Sequence, residues 1–250
     1  MSTTAVTSWS RPKPRFLQAL SAAALAAASL QQAPVAAQAP PGPIPASEEL
    51  RYSIHWPSGL SFGSALFKAR FTDPGWRFEF DLRASLPKIE INDRAVSRSD
   101  EQMCGQEFTK HILHGNRRAN ELLRFRPNAV ERINLEEAEE ARPGVIPVQD
   151  CARDALAFLY FLRTELAAGR IPPPSTVFFG AGYRVRLEHA QTRWLIWDGQ
   201  RQLADEIRVS VSGPGSEHEL SAYFGRDESR APLLFRMQFD DESFTMRLQE

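Results

Sequence analysis

The chain has 250 residues, of which 42% are hydrophobic and 24% are charged, and its formal net charge at pH 7 is −1. Beyond residue 37, 27 positive side chains stand against 31 negative ones, so this larger part of the chain is mildly acidic. The balance argues against a nucleic-acid partner, because phosphate binding needs a net basic surface. The remaining length fits one large β domain or, alternatively, two small ones.

Residues 1–37 have the three parts of a secretory signal peptide. Three cations lie within residues 11–15, and the uncharged segment 16–30 that follows is shorter than the roughly 20 residues needed to cross a bilayer. Small residues come next and place the cleavage site after Ala37, whereas cleavage after Ala39 would leave a proline at the new N-terminus. The segment therefore predicts export. The alternatives are an uncleaved anchor or an Ala-rich disordered tail.

A cleaved signal predicts a periplasmic protein. No cysteine lies near the cleavage site, so lipid attachment there is not expected. No later apolar run is long enough to span a bilayer, so we expect no transmembrane anchor after cleavage. Residues 38–49 are rich in Pro and Ala without apolar periodicity, which predicts a disordered linker before a single β domain at 50–250.

Apolar and polar residues alternate from Leu50 onward. Leu50, Tyr52 and Ile54 point one way and the residues between them the other, as in a half-buried strand. Short strands joined by local turns predict a mainly β fold, an antiparallel meander that curves into an open or closed barrel-like sheet. The further strand candidates are residues 64–71, 76–85, 89–98, 106–113, 118–125, 176–180, 183–189, 193–197, 206–212, 219–224, 233–239 and 244–249.

One long helix is predicted at about residues 150–168. Asp150 is a suitable N-cap and Gly169 a suitable residue just beyond the C-terminus. Every position from 155 to 162 is apolar, so this helix has no face suited to water. It should pack inside the curve of the sheet or close its mouth, and the sequence leaves open whether it is a fixed plug or a movable lid.

The two cysteines, Cys104 and Cys151, form the only pair that the sequence offers. An oxidising compartment outside the cytoplasm favours a disulfide between them. The alternative is two buried free thiols.

Four stretches of the sequence carry a recognisable pattern. They are Trp56-Pro-Ser-Gly-Leu-Ser-Phe-Gly63, Cys151-Ala-Arg-Asp-Ala-Leu-Ala-Phe-Leu-Tyr160, Val177-Phe-Phe-Gly-Ala181 and Arg226-Asp-Glu-Ser-Arg-Ala-Pro-Leu-Leu234. Together they resemble a bacterial exported family, the domain of unknown function 3108. The resemblance covers the chain from about Leu50 to its end and implies an exported, mostly β protein of Gram-negative bacteria with no established activity. It therefore supplies no catalytic residues.

Two motifs have the spacing of reactive sites but an unsuitable local structure. Gly59-Leu-Ser-Phe-Gly63 matches the nucleophile elbow of serine hydrolases, yet a strand rather than a helix is predicted after Ser61, which favours a hairpin. Glu107, His111 and His114 are spaced like metal ligands on a helix, but on a strand the two histidines face opposite sides. We expect no metal and, without a nucleotide-binding motif, no cofactor.

Two charged dipeptides are candidates for ion pairs. Asp93-Arg94 lies on a predicted strand, and Arg153-Asp154 lies near the start of the buried helix, where a cation opposes the helix dipole. We expect a structural ion pair that fixes the helix to the sheet, with a ligand-binding role as the alternative.

The aromatic residues allow two interpretations. Trp56, Trp76, Trp194 and Trp197 either line a cavity for a lipid or other apolar envelope molecule or belong to the core, and core packing is favoured for most of them. The resulting hypothesis is a non-enzymatic binding or accessory protein of the cell envelope, with an apolar ligand or an envelope protein as partner. The alternatives are a serine hydrolase that uses Ser61 and a purely structural protein.

Overall fold

The fold was obtained as a computed structural model. It describes residues 42–86, 89–137, 144–149, 151–197, 199–214, 216–239 and 242–249. The predicted signal peptide, its cleavage site, the first part of the predicted linker and the predicted N-cap Asp150 lie outside these residues.

Fifteen strands and one helix make up the described part of the chain. The helix, α1, spans Ala155–Ala167. The strands are β1 (Ser47–His55), β2 (Ser61–Thr72), β3 (Gly75–Leu86), β4 (Ile89–Asp100), β5 (Gly105–His114), β6 (Arg117–Arg126), β7 (Ala129–Asn134), β8 (Gly144–Pro147), β9 (Arg153–Asp154), β10 (Ser175–Phe179), β11 (Ala181–Trp197), β12 (Gln200–Gly213), β13 (Ser216–Gly225), β14 (Pro232–Phe239) and β15 (Glu242–Leu248).

All of the strands belong to one sheet in the order β8-β7-β6-β5-β4-β3-β2-β1-β15-β14-β13-β12-β11-β10-β9. Neighbours in the sheet are antiparallel and follow one another along the chain, except that β1 pairs with β15 and that β9 pairs with β10 in parallel. The predicted antiparallel meander is therefore confirmed. The sheet is curved but not closed, since β8 and β9 are its two edges.

Register shifts in four ladders help the sheet to bend. They occur between Ile54 and His55, Arg98 and Ser99, His189 and Gln191, and Tyr223 and Phe224. Such bulges increase local twist and bend the strand that carries them. The concave face of the sheet, defined here as the face that contacts α1, carries the main hydrophobic core.

The helix begins at Ala155, so the predicted start near residue 150 is wrong. Cys151 has a positive φ of 61°, which a right-handed helix does not allow, and residues 153–154 pair with β10 instead. Asp154 is the N-cap, and its carboxylate accepts hydrogen bonds from the backbone of Leu156 and Ala157. Gly169, at φ 72°, follows the last turn as predicted.

The folded part of the chain also begins earlier than the sequence suggested. Strand β1 starts at Ser47, and Ile44 is only 1% exposed within the main core. The segment from residue 44 to 49 is therefore not the disordered linker that its Pro and Ala content predicts. The buried Ile44, the pairing of β1 with β2 and an ion pair of Glu48 with Arg163 connect this segment to the rest of the fold.

The helix packs against the first half of the sheet through aromatic contacts. The rings of Tyr160 and Phe78 are stacked with their centroids 4.3 Å apart, and Trp76 stacks on Phe78 at 5.8 Å. A disulfide between Cys104 and Cys151 links the turn after β4 to the segment before α1, with Cα atoms 4.6 Å apart. Within the described residues, no helix has the length and apolar character of a membrane-spanning segment.

Candidate functional site

An apolar cavity of about 270 Å³ lies between α1 and the second half of the sheet. Among its described lining residues, Tyr183 alone carries a hydroxyl group, and the rest are hydrocarbon or thioether side chains. The helix contributes Ala155, Phe158, Leu159 and Leu162, and the strands contribute Phe67, Val177, Phe179, Tyr183, Val185, Leu187, Val209, Val211, Leu220, Ala222, Phe224, Phe235 and Met246.

Strand periodicity places these side chains on one face. Val185 and Leu187 are two residues apart on β11, and they lie opposite Val211 and Val209 on β12. Residues two apart on a strand share a face, and residues directly opposite on antiparallel strands do as well. Alternation along β11 and β12 therefore builds a continuous apolar wall that faces the helix.

The cavity is open along part of this wall. Leu187, Val209, Val211 and Leu220 are only half-buried, although Val185 and Phe224 beside them are buried. Covering an apolar surface that is partly in contact with water is favourable by about 25 cal/mol for each Å² removed from water. The cavity thus has both an interior and an entrance.

The size of the cavity limits what fits. An apolar cavity of about 150 Å³ holds a benzene molecule, whereas typical pockets for small molecules measure about 300–1,000 Å³. At about 270 Å³, the volume of this cavity lies between these two sizes, and the cavity is open on one side.

A buried arginine holds the far half of the helix in place. The side chain of Arg163 is 0% exposed and makes a bidentate ion pair with Glu48 of β1, with nitrogen–oxygen distances of 2.5 and 2.8 Å. It also donates to the carbonyl of Ser229, in the loop between β13 and β14. Burial alone would lower the pKa of Arg163, but the hydrogen bonds and charge of Glu48 outweigh burial and raise it.

A buried carboxylate holds the start of the helix. Asp154 is 0% exposed and accepts hydrogen bonds from the Ser97 hydroxyl of β4, at 2.7 Å, and from two backbone amides of α1. Burial raises the pKa of Asp154 to about 6, even though these hydrogen bonds favour the charged form. Both ends of the cavity-lining helix are thus fixed to the sheet by buried polar contacts.

A charged cluster lies on the concave face beyond the cavity. Lys110 of β5 and Glu121 of β6 are direct cross-strand partners with their charged atoms 3.0 Å apart, and Arg132 of β7 also contacts Glu121. Lys110 and Glu121 lie two residues from the buried Phe108 and Leu123 on their strands and so share the core-facing side. Burial would raise the pKa of Glu121, but Arg132 and Lys110 outweigh it and lower the pKa.

The cluster contacts the wall of the cavity through Phe179. The ammonium group of Lys110 donates to the Phe179 carbonyl at 3.2 Å and lies 4.8 Å from the centroid of its ring. The next residue is Gly180, at φ 87°, where a Cβ atom would come within 2.4 Å of the Lys110 nitrogen. The turn between β10 and β11 therefore needs glycine to lie this close to the charges.

Comparison with known proteins identifies the family. The profile of the family described as "Protein of unknown function (DUF3108)" matches residues 51–249. The chain belongs to this family. No curated protein matches it at a significant level.

A solved structure shares the fold of this DUF3108 protein. It is the crystal structure of a beta-barrel-like protein of the domain of unknown function DUF1849 from Brucella abortus, with a TM-score of 0.59 and 8% sequence identity. The match covers 81% of this chain and 95% of the other. At this identity the likeness concerns the fold alone.

Ser61 is placed in a hairpin and not at a strand-to-helix turn. It is the first residue of β2 and lies opposite His55 of β1 in the antiparallel ladder. The two ring nitrogens of His55 contact the Ser53 hydroxyl and the Gly59 carbonyl. The G-x-S-x-G segment of this DUF3108 protein therefore belongs to a hairpin turn. The nearby His55 contacts groups other than the Ser61 hydroxyl.

The candidate metal ligands, Glu107, His111 and His114, lie on β5, but their side chains are not grouped around one point. His111 is exposed, and the ring of His114 contacts the carboxylate of Asp93 at 2.9 Å. In the part of the chain that the structure describes, no three His, Cys, Asp or Glu side chains are grouped as a metal site requires.

The charged dipeptides have partners other than each other. Asp93 pairs with His114, and Arg94 lies 3.7 Å from Asp81 on the neighbouring strand. Arg153 stacks 3.8 Å from the centre of the Phe161 ring and donates to the Gln102 carbonyl, while Asp154 caps α1. An ion pair between Arg163 and Glu48, which was not predicted from the sequence, fixes the helix to the sheet.

None of the described tryptophan side chains lines the cavity. Trp76 is fully buried in the main core, Trp56 packs on Phe62 and Phe244, and Trp194 is 54% exposed. The side chain of Trp197 lies outside the described residues. Aliphatic residues and phenylalanines at alternating strand positions form the apolar wall instead.

Proposed function

We propose that this protein is an exported, non-enzymatic binding protein of the cell envelope that holds the hydrocarbon chain of a lipid or similar ligand. The single observation that carries the proposal is the apolar cavity beneath α1. Its wall offers a large apolar surface, an open side and room for a chain segment. These are the properties that a carrier of an apolar ligand needs.

The chemistry of the lining supports binding over catalysis. A catalytic pocket needs a nucleophile, acid or base that reaches the reacting atoms. Among the described lining residues, the hydroxyl of Tyr183 is the sole group of this kind, and the other side chains can contribute only apolar contact.

Two features support the exported part of the proposal. The segment 1–37 carries the pattern of a signal peptide, and the described domain contains a disulfide, which persists in oxidising compartments such as the periplasm. A ligand with an apolar chain is abundant in the envelope, where such a protein would work.

Mass spectrometry of lipid extracts from purified protein tests the proposal. We expect a bound amphiphile with wild-type protein and at least a severalfold loss with Leu187→Trp, which places a bulky ring in the cavity. Glu188→Trp is the matched control, because the next residue on β11 is exposed and should leave binding unchanged. Protein that is consistently empty, or equal occupancy in both variants, would contradict the proposal.

A further inference from the structure

The charged cluster on the concave face has an excess of positive charge. It contains two cations, Lys110 and Arg132, and one carboxylate, Glu121, which both cations contact. The side chains of Lys110 and Glu121 are only 10% and 8% exposed. Among the described residues, the cluster therefore carries one more positive charge than negative, and the half-exposed Arg132 shares its buried partner Glu121 with Lys110.

Access to this charge comes from Arg132. Its side chain is 46% exposed, in contrast to the buried pair that it contacts. Arg132 lies opposite Leu123 in the ladder and therefore shares the concave face with the core residues of β6. About half of the Arg132 side chain is thus open to solvent, from which an anion can approach it.

The cluster and the apolar cavity are connected. Phe179 lines the cavity, while its carbonyl and its ring contact the ammonium group of Lys110. A chain held against Phe179 would therefore have its polar end within reach of the cluster, a few ångströms beyond the ring.

We propose that Lys110 and Arg132 bind the anionic head group of an amphiphile whose hydrocarbon chain occupies the cavity beneath α1. This inference rests on the proposed function and adds the chemical class of the ligand, a single-chain amphiphile with a carboxylate or phosphate head. The anion neutralises the unbalanced charge, and the fork of Arg132 suits the two oxygens of such a group.

Matched probes test the head group apart from the chain. Dodecanoate and dodecanol have the same chain length and differ in charge, and the affinity of each is measured by its displacement of the neutral fluorescent probe N-phenyl-1-naphthylamine from the wild-type protein. We expect dodecanoate to bind roughly tenfold more tightly, which corresponds to about 1.4 kcal/mol, because its carboxylate forms charge-assisted hydrogen bonds that the hydroxyl of dodecanol does not.

Variants of the cluster locate the effect. Arg132→Gln should lower dodecanoate affinity by roughly tenfold and leave dodecanol affinity unchanged. Lys110→Met should act in the same direction, but Lys110 is buried whereas Arg132 is half exposed, so Arg132→Gln disturbs the fold less and is the safer test of binding. Arg124→Gln is the control, because Arg124 is an exposed residue of β6 on the opposite face.

The possible outcomes separate this inference from the proposed function. Equal affinity for dodecanoate and dodecanol, or a preference that survives Arg132→Gln in folded protein, overturns the head-group site and leaves a site for apolar chains. Failure of both probes to bind overturns the chain-binding function and the head-group site together.

Discussion

Asp154 combines a capping role with an unfavourable burial. Its carboxylate satisfies two backbone amides at the start of α1 and the hydroxyl of Ser97, yet it is fully removed from water. Burial raises its pKa from the ordinary value of 3.8 to about 6, so the folded protein binds a proton at this group more tightly than the unfolded chain does. Between these two pH values, stability depends on that proton.

The pH dependence of stability should change in Asp154→Asn. In the wild type this group makes the free energy of unfolding fall by about 2 kcal/mol as the pH rises from 4 through the folded pKa of about 6 to 7. Asparagine caps helices well and carries no charge, so the variant should lose this fall and gain stability relative to wild type at pH 7. Urea unfolding at pH 4 and pH 7 measures the difference.

Asp154→Ala is the comparison for that experiment. Like the asparagine variant it removes the charge, but it also removes the cap. Its free energy of unfolding should therefore be about 1 kcal/mol lower than that of Asp154→Asn at both pH values. Parallel pH profiles of wild type and Asp154→Asn would show that the buried carboxylate is not the titrating group.

At the level of secondary-structure elements, α1 is held to two distant parts of the chain by Arg163. The ion pair with Glu48 connects the helix to β1, and the hydrogen bonds to Ser229 connect it to the loop before β14. Removing one member of a buried pair leaves the other charge without its partner, which is more damaging than removing both.

Arg163→Met and Glu48→Gln should each reduce the free energy of unfolding by about 3–5 kcal/mol. The double variant should cost clearly less than the sum, because no unpaired charge remains. Chemical denaturation of the two single variants and the double variant gives this coupling energy. Additive losses would mean that the two side chains act independently. Arg51→Gln, at an exposed position of β1, is the control.

The disulfide acts on the whole molecule by joining two elements that are separated by 47 residues in sequence. The cross-link restricts the unfolded chain, which in the chain-entropy model stabilises the fold by about 4 kcal/mol. Cys104→Ser with Cys151→Ser should therefore lower the midpoint of guanidinium unfolding. Wild-type protein measured with a reducing agent should match the double variant, and an unchanged midpoint would contradict the prediction.

The sequence predicted the sheet of the whole molecule better than the contacts within it. Alternation along the strands is a local pattern, and it indicated the meander correctly. The helix start was wrong because Asp150 and Asp154 are equally good caps in sequence, and the pairing of residues 153–154 with β10 is not a local property. Glu48 was missed because Pro and Ala dominate its segment.

The cavity and the cluster show the same limit. Strand alternation marks the apolar side chains, but it does not show that Val185 and Val211 face a helix across open space. Lys110 occupies the core-facing position between Phe108 and Ile112, so a break in alternation was visible in the sequence. The other two members of the cluster, Glu121 on β6 and Arg132 on β7, could not be identified from this pattern because they lie on other strands.

The pairing of β1 with β15 places both ends of the folded chain at the centre of the sheet, while the free edges, β8 and β9, come from the middle of the chain. During synthesis β1 is made long before its neighbour β15, so this long-range contact must wait until β15 has been made. Contacts of high sequence separation form slowly because a large loop must close first. The order of translation thus keeps one side of β1 unpaired until β15 has emerged.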